Sequence, residues 1–427
     1  MYIKVITPII TTVSLLAATL CLTLAPLGQA LADGNAKIRV MTQNQYLGAD
    51  LEPLVTAPDP AAFNEALVFV LQTIGASNYP ERVQKLAQTI AKSGADLVGL
   101  QEMWAFNCTP TSPTIPEPCS LFGPAFNDHL EATLDALHNI NADYYAAATV
   151  QNLTIEDVGF PVPGIPVFLD NDGTPDVFIT VLDRDVILAR SKIVATPVSF
   201  DCPRRSLDGC NFETVAMTSI GGIPLNIERG FVAVDAVIKG NAYRFVNTHL
   251  EVRFPDPSNQ FSRYIQSAQA SELMGTLAFQ PAPPNSRLLV VGDINSDPDD
   301  PYPSPTSGPF LTPYQQFVSG LTLNGAWISD AYTDVWTLKR KQKPGLTCCE
   351  DADLRNAVSN NDRRVDMIFS LLVPKKVKAR VLNTKPRNKT ASGLWPSDHA
   401  TVVAKLKFDH DHDDDHDDDD EDMDGDD

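Results

Sequence analysis

The sequence predicts a layered α/β fold in one large domain, and three observations carry that expectation. The first hundred residues read strand, helix, strand. Further short apolar runs recur along the chain, too brief and too β-branched for helices, and turn residues bound them. No linker composition and no internal repeat separates Ile38 from Phe408. Strands alternating with helices bury their apolar faces by stacking in layers. A chain of 427 residues with 43% hydrophobic content has enough apolar side chains for such a core.

Taken in order, Ile38-Arg39-Val40-Met41-Thr42-Gln43-Asn44 alternates and reads as a strand ending in an amide. Ala61–Ile74 reads as a helix. A second helix starts at Pro80 and puts Val83, Leu86, Ala87, Ile90 and Ala91 on one face before Gly94 ends it. Asp96–Glu102 is a buried strand that ends in Gln101-Glu102. Residues 106–126 read as a Pro- and Cys-rich loop, Phe126–Leu137 as a helix, and 158–176 as a Pro/Gly/Asp-rich insertion. Val177–Leu182 and Val186–Ala189 read as strands, with Asp183-Arg184-Asp185 as a plain turn between them. Lys239-Gly240-Asn241 marks a hairpin between Phe231–Val237 and Tyr243–Asn247, whose second strand leads into Thr248-His249-Leu250-Glu251. Arg263–Leu277 has helical spacing. Leu288–Val291 is a strand that stops at Gly292 and delivers Asp293 and Asn295. These two share a side if the backbone stays extended. Residues 301–313 are irregular, Arg363–Ser370 is a strand with Asp366 embedded in it, and the chain closes on Ser397-Asp398-His399 and a last strand.

Charge is unevenly spread. The formal net charge is −21, and residues 409–427 hold 14 acids with no Lys or Arg, which leaves −7 for 1–408. That tail has almost no apolar content to bury and reads as solvated, with loose divalent-cation capture as the alternative. No basic arm advertises tight nonspecific binding to nucleic acid. Residues 1–32 read as an export signal, with an apolar run and Ala30-Leu31-Ala32 before Asp33. The expected location is therefore secreted or periplasmic, the alternative an uncleaved membrane anchor. Six cysteines remain after the leader, an even number that suits disulfides in an exported protein. Nearest neighbours would pair Cys108 with Cys119 and Cys202 with Cys210, and Cys348-Cys349 are adjacent, but spacing alone selects no connectivity.

Five apolar strands thus finish beside a polar signature: Asn44, Gln101-Glu102, His249, Asp293-Asn295 and Asp398-His399, with Asp366 in a sixth. Each alone has a plain structural explanation, such as a turn cap or a core histidine. Together and in this order they resemble the endonuclease/exonuclease/phosphatase superfamily. The matching motifs are Thr42-Gln43-Asn44, Gly99-Leu100-Gln101-Glu102, Asn247-Thr248-His249-Leu250, Gly292-Asp293-Ile294-Asn295, Arg364-Val365-Asp366-Met367-Ile368 and Ser397-Asp398-His399, spanning roughly 38–408. The resemblance implies a four-layered α/β sandwich, two mixed, mostly antiparallel β-sheets face to face with outer helices. It implies hydrolysis of phosphoric esters with Mg²⁺, or Mn²⁺ or Ca²⁺, held by Glu102 with Asn44 and Asp398. It implies His399 as the base that activates water, Asp366 as its orienting partner, and His249 on the phosphoryl oxygen or the leaving group. Asp293 would position the water, Asn295 would donate to phosphate oxygens, and Arg263, with Gln266, would lie near the substrate. The expected protein is a monomer without an obligate protein partner, acting on nucleic acid or on a phospholipid head group. An inositol-phosphate phosphatase and a silent binding module on the same fold are further alternatives.

Overall fold

The structure is a computed structural model, and it describes residues 36–409 apart from 155–163, 171, 221–222, 254–259, 302–310 and 340–342. The expected leader, the acidic tail beyond Asp409 and parts of the 158–176 and 301–313 stretches lie outside the described residues.

The first sheet is built on β1 (Ala36–Asn44), which ends where the apolar alternation ends. A short helix, Glu52–Val55, leads to two longer ones, α1 (Pro60–Ala76) and α2 (Tyr79–Ser93). Asp59 caps the first by accepting from the Ala62 backbone N–H. Gly94, at φ 62°, stops the second. The chain then returns as β2 (Leu97–Gln101), parallel to β1. The helix α3 (His129–Asn139) starts at the Asp128 cap, two residues later than the sequence pattern suggests. Beyond it run β3 (Tyr144–Thr154) and β4 (Val177–Arg190). The expected loop at 106–126 instead holds a strand, Ala105–Pro110, and 3₁₀ turns over Pro118–Ala125. That strand forms because it finds β4 to pair with, a partner that local composition does not reveal.

The second sheet is built from the expected hairpin, β5 (Gly230–Ile238) and β6 (Asn241–His249), turning through Lys239 and Gly240 at positive φ. The helix α4 (Phe261–Phe279) leads to β7 (Arg287–Asp293), parallel to β6. Strand β8 (Asp366–Ser370) pairs antiparallel with β7. Asp366 opens this strand rather than sitting inside it, because pairing with β7 begins only opposite Asp293. Strands β9 (Lys376–Leu382) and β10 (Thr401–Phe408) close the chain on the first sheet.

Among the described residues each of these two sheets has eight strands. The first runs β9-β10-β1-β2-β4 to Ala105–Pro110, and the second carries β8-β7-β6-β5 at its centre. Among the described residues each sheet contains one parallel pair, β1–β2 and β6–β7; the other pairings are antiparallel. The sheets meet face to face, with Val40, Leu97, Ile187 and Leu406 packed against Val234, Phe245, Leu289 and Ile368. Val83, Leu86 and Ile90 of α2 cover the outer face of the first sheet, and Leu273, Met274 and Leu277 of α4 cover the second. This is the expected four-layered α/β sandwich. At the middle a polar clamp joins the sheets: Asn247 Nδ2 donates to the carbonyls of Leu100 (2.9 Å) and Val186 (3.1 Å), and Gln101 Nε2 donates to Asn247 Oδ1 at 2.6 Å. Gly99 is required there, since a Cβ would sit 2.6 Å from Asn247 Oδ1.

Of the pairings the sequence left open, the structure joins nearest neighbours, Cys108–Cys119 and Cys202–Cys210, with Cα separations of 6.0 and 6.3 Å. The sulfurs of Cys348 and Cys349 are also joined. Among the described residues no helix is long and apolar enough to cross a membrane.

Candidate active site

The carboxyl ends of the two parallel pairs point to the same edge of the sandwich. From the first sheet come Asn44 and Glu102, the latter one residue past β2 at φ 57°. From the second come His249 and Asp293, the last residues of β6 and β7. Asn44 bridges the sheets: its Nδ2 donates to Glu102 Oε1 at 3.0 Å and to Asp293 Oδ2 at 3.2 Å. Its Oδ1 accepts from the Tyr46 backbone N–H at 2.9 Å, so the amide oxygen faces the chain rather than the site. Glu102 Oε2 accepts from the Leu47 N–H at 3.0 Å.

Asp293 Oδ2 is the meeting point of both histidines, 3.5 Å from His249 Nε2 and 3.6 Å from His399 Nε2. His399 Nδ1 pairs with Asp366 Oδ2 at 2.8 Å. The backbone after Asp293 does not stay extended as the sequence suggests. Gly292 has φ 147° and Asn295 has φ 48°. The Asn295 N–H turns back to Asp293 Oδ1 at 2.9 Å, and that turn aims both side chains into the site. Asn295 Nδ2 lies 3.2 Å from His249 Nε2 and donates to the Leu250 carbonyl at 2.9 Å. Asp398 joins through Ser397, whose hydroxyl donates to the Asn44 carbonyl at 2.7 Å and lies 3.4 Å from Asp398 Oδ1.

The two histidines sit in opposite electrostatic settings. Burial lowers the pKa of His399, but Asp366, Asp293 and Asp398 outweigh it and hold the group well above its ordinary value. Burial, Arg229 and His399 together hold His249 well below its own. His249 is therefore neutral. Arg229 Nη1 lies 3.2 Å from its Nδ1 and Asn295 Nδ2 lies 3.2 Å from its Nε2, so a donor faces each ring nitrogen. Burial pushes Asp293 up to about 6, with His399 opposing and Asp366 adding to the rise. Burial pushes Asp398 up to about 7, with His399 opposing and Glu102 adding to the rise. Acids outnumber cations here, which is the setting a hard divalent cation stabilises. Glu102, Asp398 and Asp293 are the carboxylates that could offer hard oxygens to one, and Asn44 could add another by turning its amide. Asp293, Asp366 and His399 also bring ligand atoms within 4.8 Å of one another, yet the 2.8 Å His399–Asp366 bond suits proton handling better than coordination. Cys349 Sγ lies 4.0 Å from His399 Nε2.

Arg263 does not join this network. It is half-buried one turn into α4, and Gln266 makes the connection instead, with its Nε2 donating to the carbonyls of Glu251 (2.5 Å) and Asn295 (2.9 Å). Among the described residues it is position 266 whose hydrogen bonds reach the site.

A second buried polar group went unread in the sequence. Asp183-Arg184-Asp185 is not a turn but the middle of the continuous strand β4. Asn152 on β3 donates to Asp185 Oδ2 at 2.9 Å, and Arg229 reaches Asp183 Oδ2 at 3.7 Å and Glu251 Oε1 at 4.0 Å. Cross-strand partners on β3 and at the start of β5 make the burial of these acids tolerable. Glu251 beside His249 was the only sequence hint; nothing local marks Arg229, which the Gly230–His249 register carries into place. Burial pushes Asp183 up to about 7, burial and then Asp183 hold Asp185 well above its ordinary value, and Arg229 opposes both rises. A carboxyl raised on folding takes up a proton on folding. Its contribution is complete below the unfolded value near 4 and is lost as pH rises through the folded value. Asp185→Asn should therefore raise the melting temperature more at pH 8 than at pH 5, as read by calorimetry. A larger gain at pH 5 would refute this account of the pair.

No family model matches the chain, and no curated protein matches it. Solved structures do. An endonuclease/exonuclease/phosphatase family protein from Leptotrichia buccalis is 16% identical over 87% of this chain and 100% of its own, with a TM-score of 0.46. TDP2 from Caenorhabditis elegans is 13% identical over 87% and 74%, with a TM-score of 0.43. The human Nocturnin catalytic domain with bound sulfate is 17% identical over 87% and 94%, with a TM-score of 0.42. Likeness at this level carries no argument about function; the side chains must carry it.

Proposed function

We propose that the chain is a divalent-metal-dependent phosphodiesterase of nuclease type. The observation that carries this reading is the geometry at Asp293, whose Oδ2 lies 3.5 Å from His249 Nε2 and 3.6 Å from His399 Nε2, with His399 Nδ1 held by Asp366 at 2.8 Å. A phosphodiester needs charge neutralised, a water deprotonated and the developing oxyanion stabilised. Glu102 and Asp398, with Asn44, would hold the cation, which when bound polarises a phosphoryl oxygen. Asp293 accepts from a water lying between the histidines and orients it. His399 takes the water's proton once it has lost its own, and Asp366 fixes its tautomer through Nδ1. Asn295 Nδ2 would donate to the phosphoryl oxygens as charge gathers there, and His249 would join it from its Nε2 in the Nε2–H tautomer. The leader-like residues 1–32 and the two cysteine-closed loops support export.

One feature favours a phospholipid head group as the second substrate class. The hairpin Ala216–Ile220/Ile223–Ile227 stands off both sheets against the Glu52–Val55 helix, in the segment that follows Asn44, and its Met217 is 73% exposed.

The test is a panel of bis(p-nitrophenyl) phosphate, plasmid DNA, sphingomyelin and inositol phosphates, each with Mg²⁺ and with EDTA. DNA and the generic diester should turn over with Mg²⁺ only, and Mg²⁺ should raise the melting temperature of wild type but not of Glu102→Gln. Turnover confined to sphingomyelin would select the second class. No turnover on any substrate would leave the chain a binding protein.

A further inference from the structure

Strands β9, β10 and β1 lie side by side at one edge of the first sheet. Their register sets Lys37, Lys407 and Lys376 directly opposite one another, and then Arg39, Lys405 and Lys378. Opposed residues share a face, as do residues two apart, so Arg380 stands there too. Ile38, Val40, Ala404, Leu406 and Ala379 take the other face, into the core between the sheets. The seven bases therefore stand on the outer face. Like charges directly opposed across strands destabilise a sheet, and here two consecutive rows do so three strands wide.

A cavity of about 170 Å³ lies on this face, lined by Arg39, Lys92, Lys378, Arg380, Lys385 and Lys405 among others. Among the described residues no Asp or Glu lines it. Asp96, nearby, accepts from the backbone N–H of Arg39 at 2.8 Å. In a chain of net charge −21, so dense a basic field calls for an anionic occupant.

We propose that the occupant is the chain's own acidic segment, residues 409–427, laid back across this face. Strand β10 carries Lys405 and Lys407 through the middle of the array and runs straight into Asp409. Asp409 already pairs with Lys375, the neighbour of Lys376, at 3.1 Å. The 14 acids of the segment exceed the bases they would meet. Distance is no obstacle, because one strand residue spans about 3.3 Å and the far row, at Lys405, lies only four residues back from Asp409. Tethering gives the segment an effective concentration in the millimolar range, which a free polyanion must exceed. The basic face is thereby reserved from other polyanions at low salt and released as salt screens the contact.

Zero-length carbodiimide cross-linking of the full chain, followed by peptide mapping, tests this directly. Links should join acids in 411–427 to Lys376, Lys378, Lys405 or Lys407, unchanged on tenfold dilution and lost in high salt. A chain ending at Asp409 should bind heparin at least tenfold more tightly than the full chain, and Lys378→Glu with Lys405→Glu should abolish that gain. Links to other lysines, links that vanish on dilution, or a heparin gain that survives the double substitution would each overturn the proposal. The last outcome would mean that net charge, not this face, attracts the probe. None of these measurements depends on hydrolysis.

Discussion

His399→Asn should lower kcat by about 10²–10⁴-fold, the usual worth of a general base. KM and the Mg²⁺-induced rise in melting temperature should change little, because the cation ligands are different residues. Asp366→Asn tests the same step differently. Asp366 is the first of the acids that lift His399, so its loss should move the acidic limb of the rate profile to lower pH while lowering the plateau. The comparison belongs at saturating Mg²⁺, since a bound cation also draws down the pKa of His399. A profile whose acidic limb does not move would remove His399 from the role of base.

Arg82→Met should cost the fold about 3–5 kcal/mol, less than four full penalties because water can reach some of the freed groups. The Arg82 guanidinium, on α2, is completely buried and donates to the carbonyls of Gln45 (3.0 Å), Tyr46 (3.0 Å), Ser77 (3.0 Å) and Pro396 (2.9 Å). Gln45 and Tyr46 follow Asn44, and Pro396 lies just before Asp398 and His399. One planar guanidinium thus ties the two loops that flank Asn44 and Asp398, the proposed cation ligands. Lysine cannot replace it, because a single ammonium cannot reach four separated carbonyls in one plane. Denaturant unfolding should show the loss in Arg82→Lys as well, and the activity of the folded fraction should also fall. Full stability in Arg82→Lys would show that the fork geometry is not what matters.

The sequence made legible whatever is written in local periodicity. The alternation before Asn44, the Pro80-initiated helix and the Lys239-Gly240 turn are each decided by neighbours in the chain, and each appears where expected. The polar strand ends were readable for the same reason: apolar runs that stop at an amide or acid are visible one at a time. What escaped is decided by partners remote in sequence. Asp183 and Asp185 look like a turn until Asn152 and Arg229 are set beside them. Ala105–Pro110 becomes a strand only against β4. The choice of position 266 over 263 depends on the rotation of α4, which its shallow apolar stripe leaves open within one turn.

The single parallel pair in each sheet has a wider consequence. Parallel neighbours cannot be joined by a tight turn, so each pair is spanned by a helical crossover, α1 and α2 in one case and α4 in the other. The chain therefore repeats one architectural phrase twice, and the reactive groups gather where the two phrases finish. Asn44 and Asp293, 3.2 Å apart, belong to different halves. A slip of an ångström between the two slabs would part them, so turnover gauges how firmly the slabs are seated on each other.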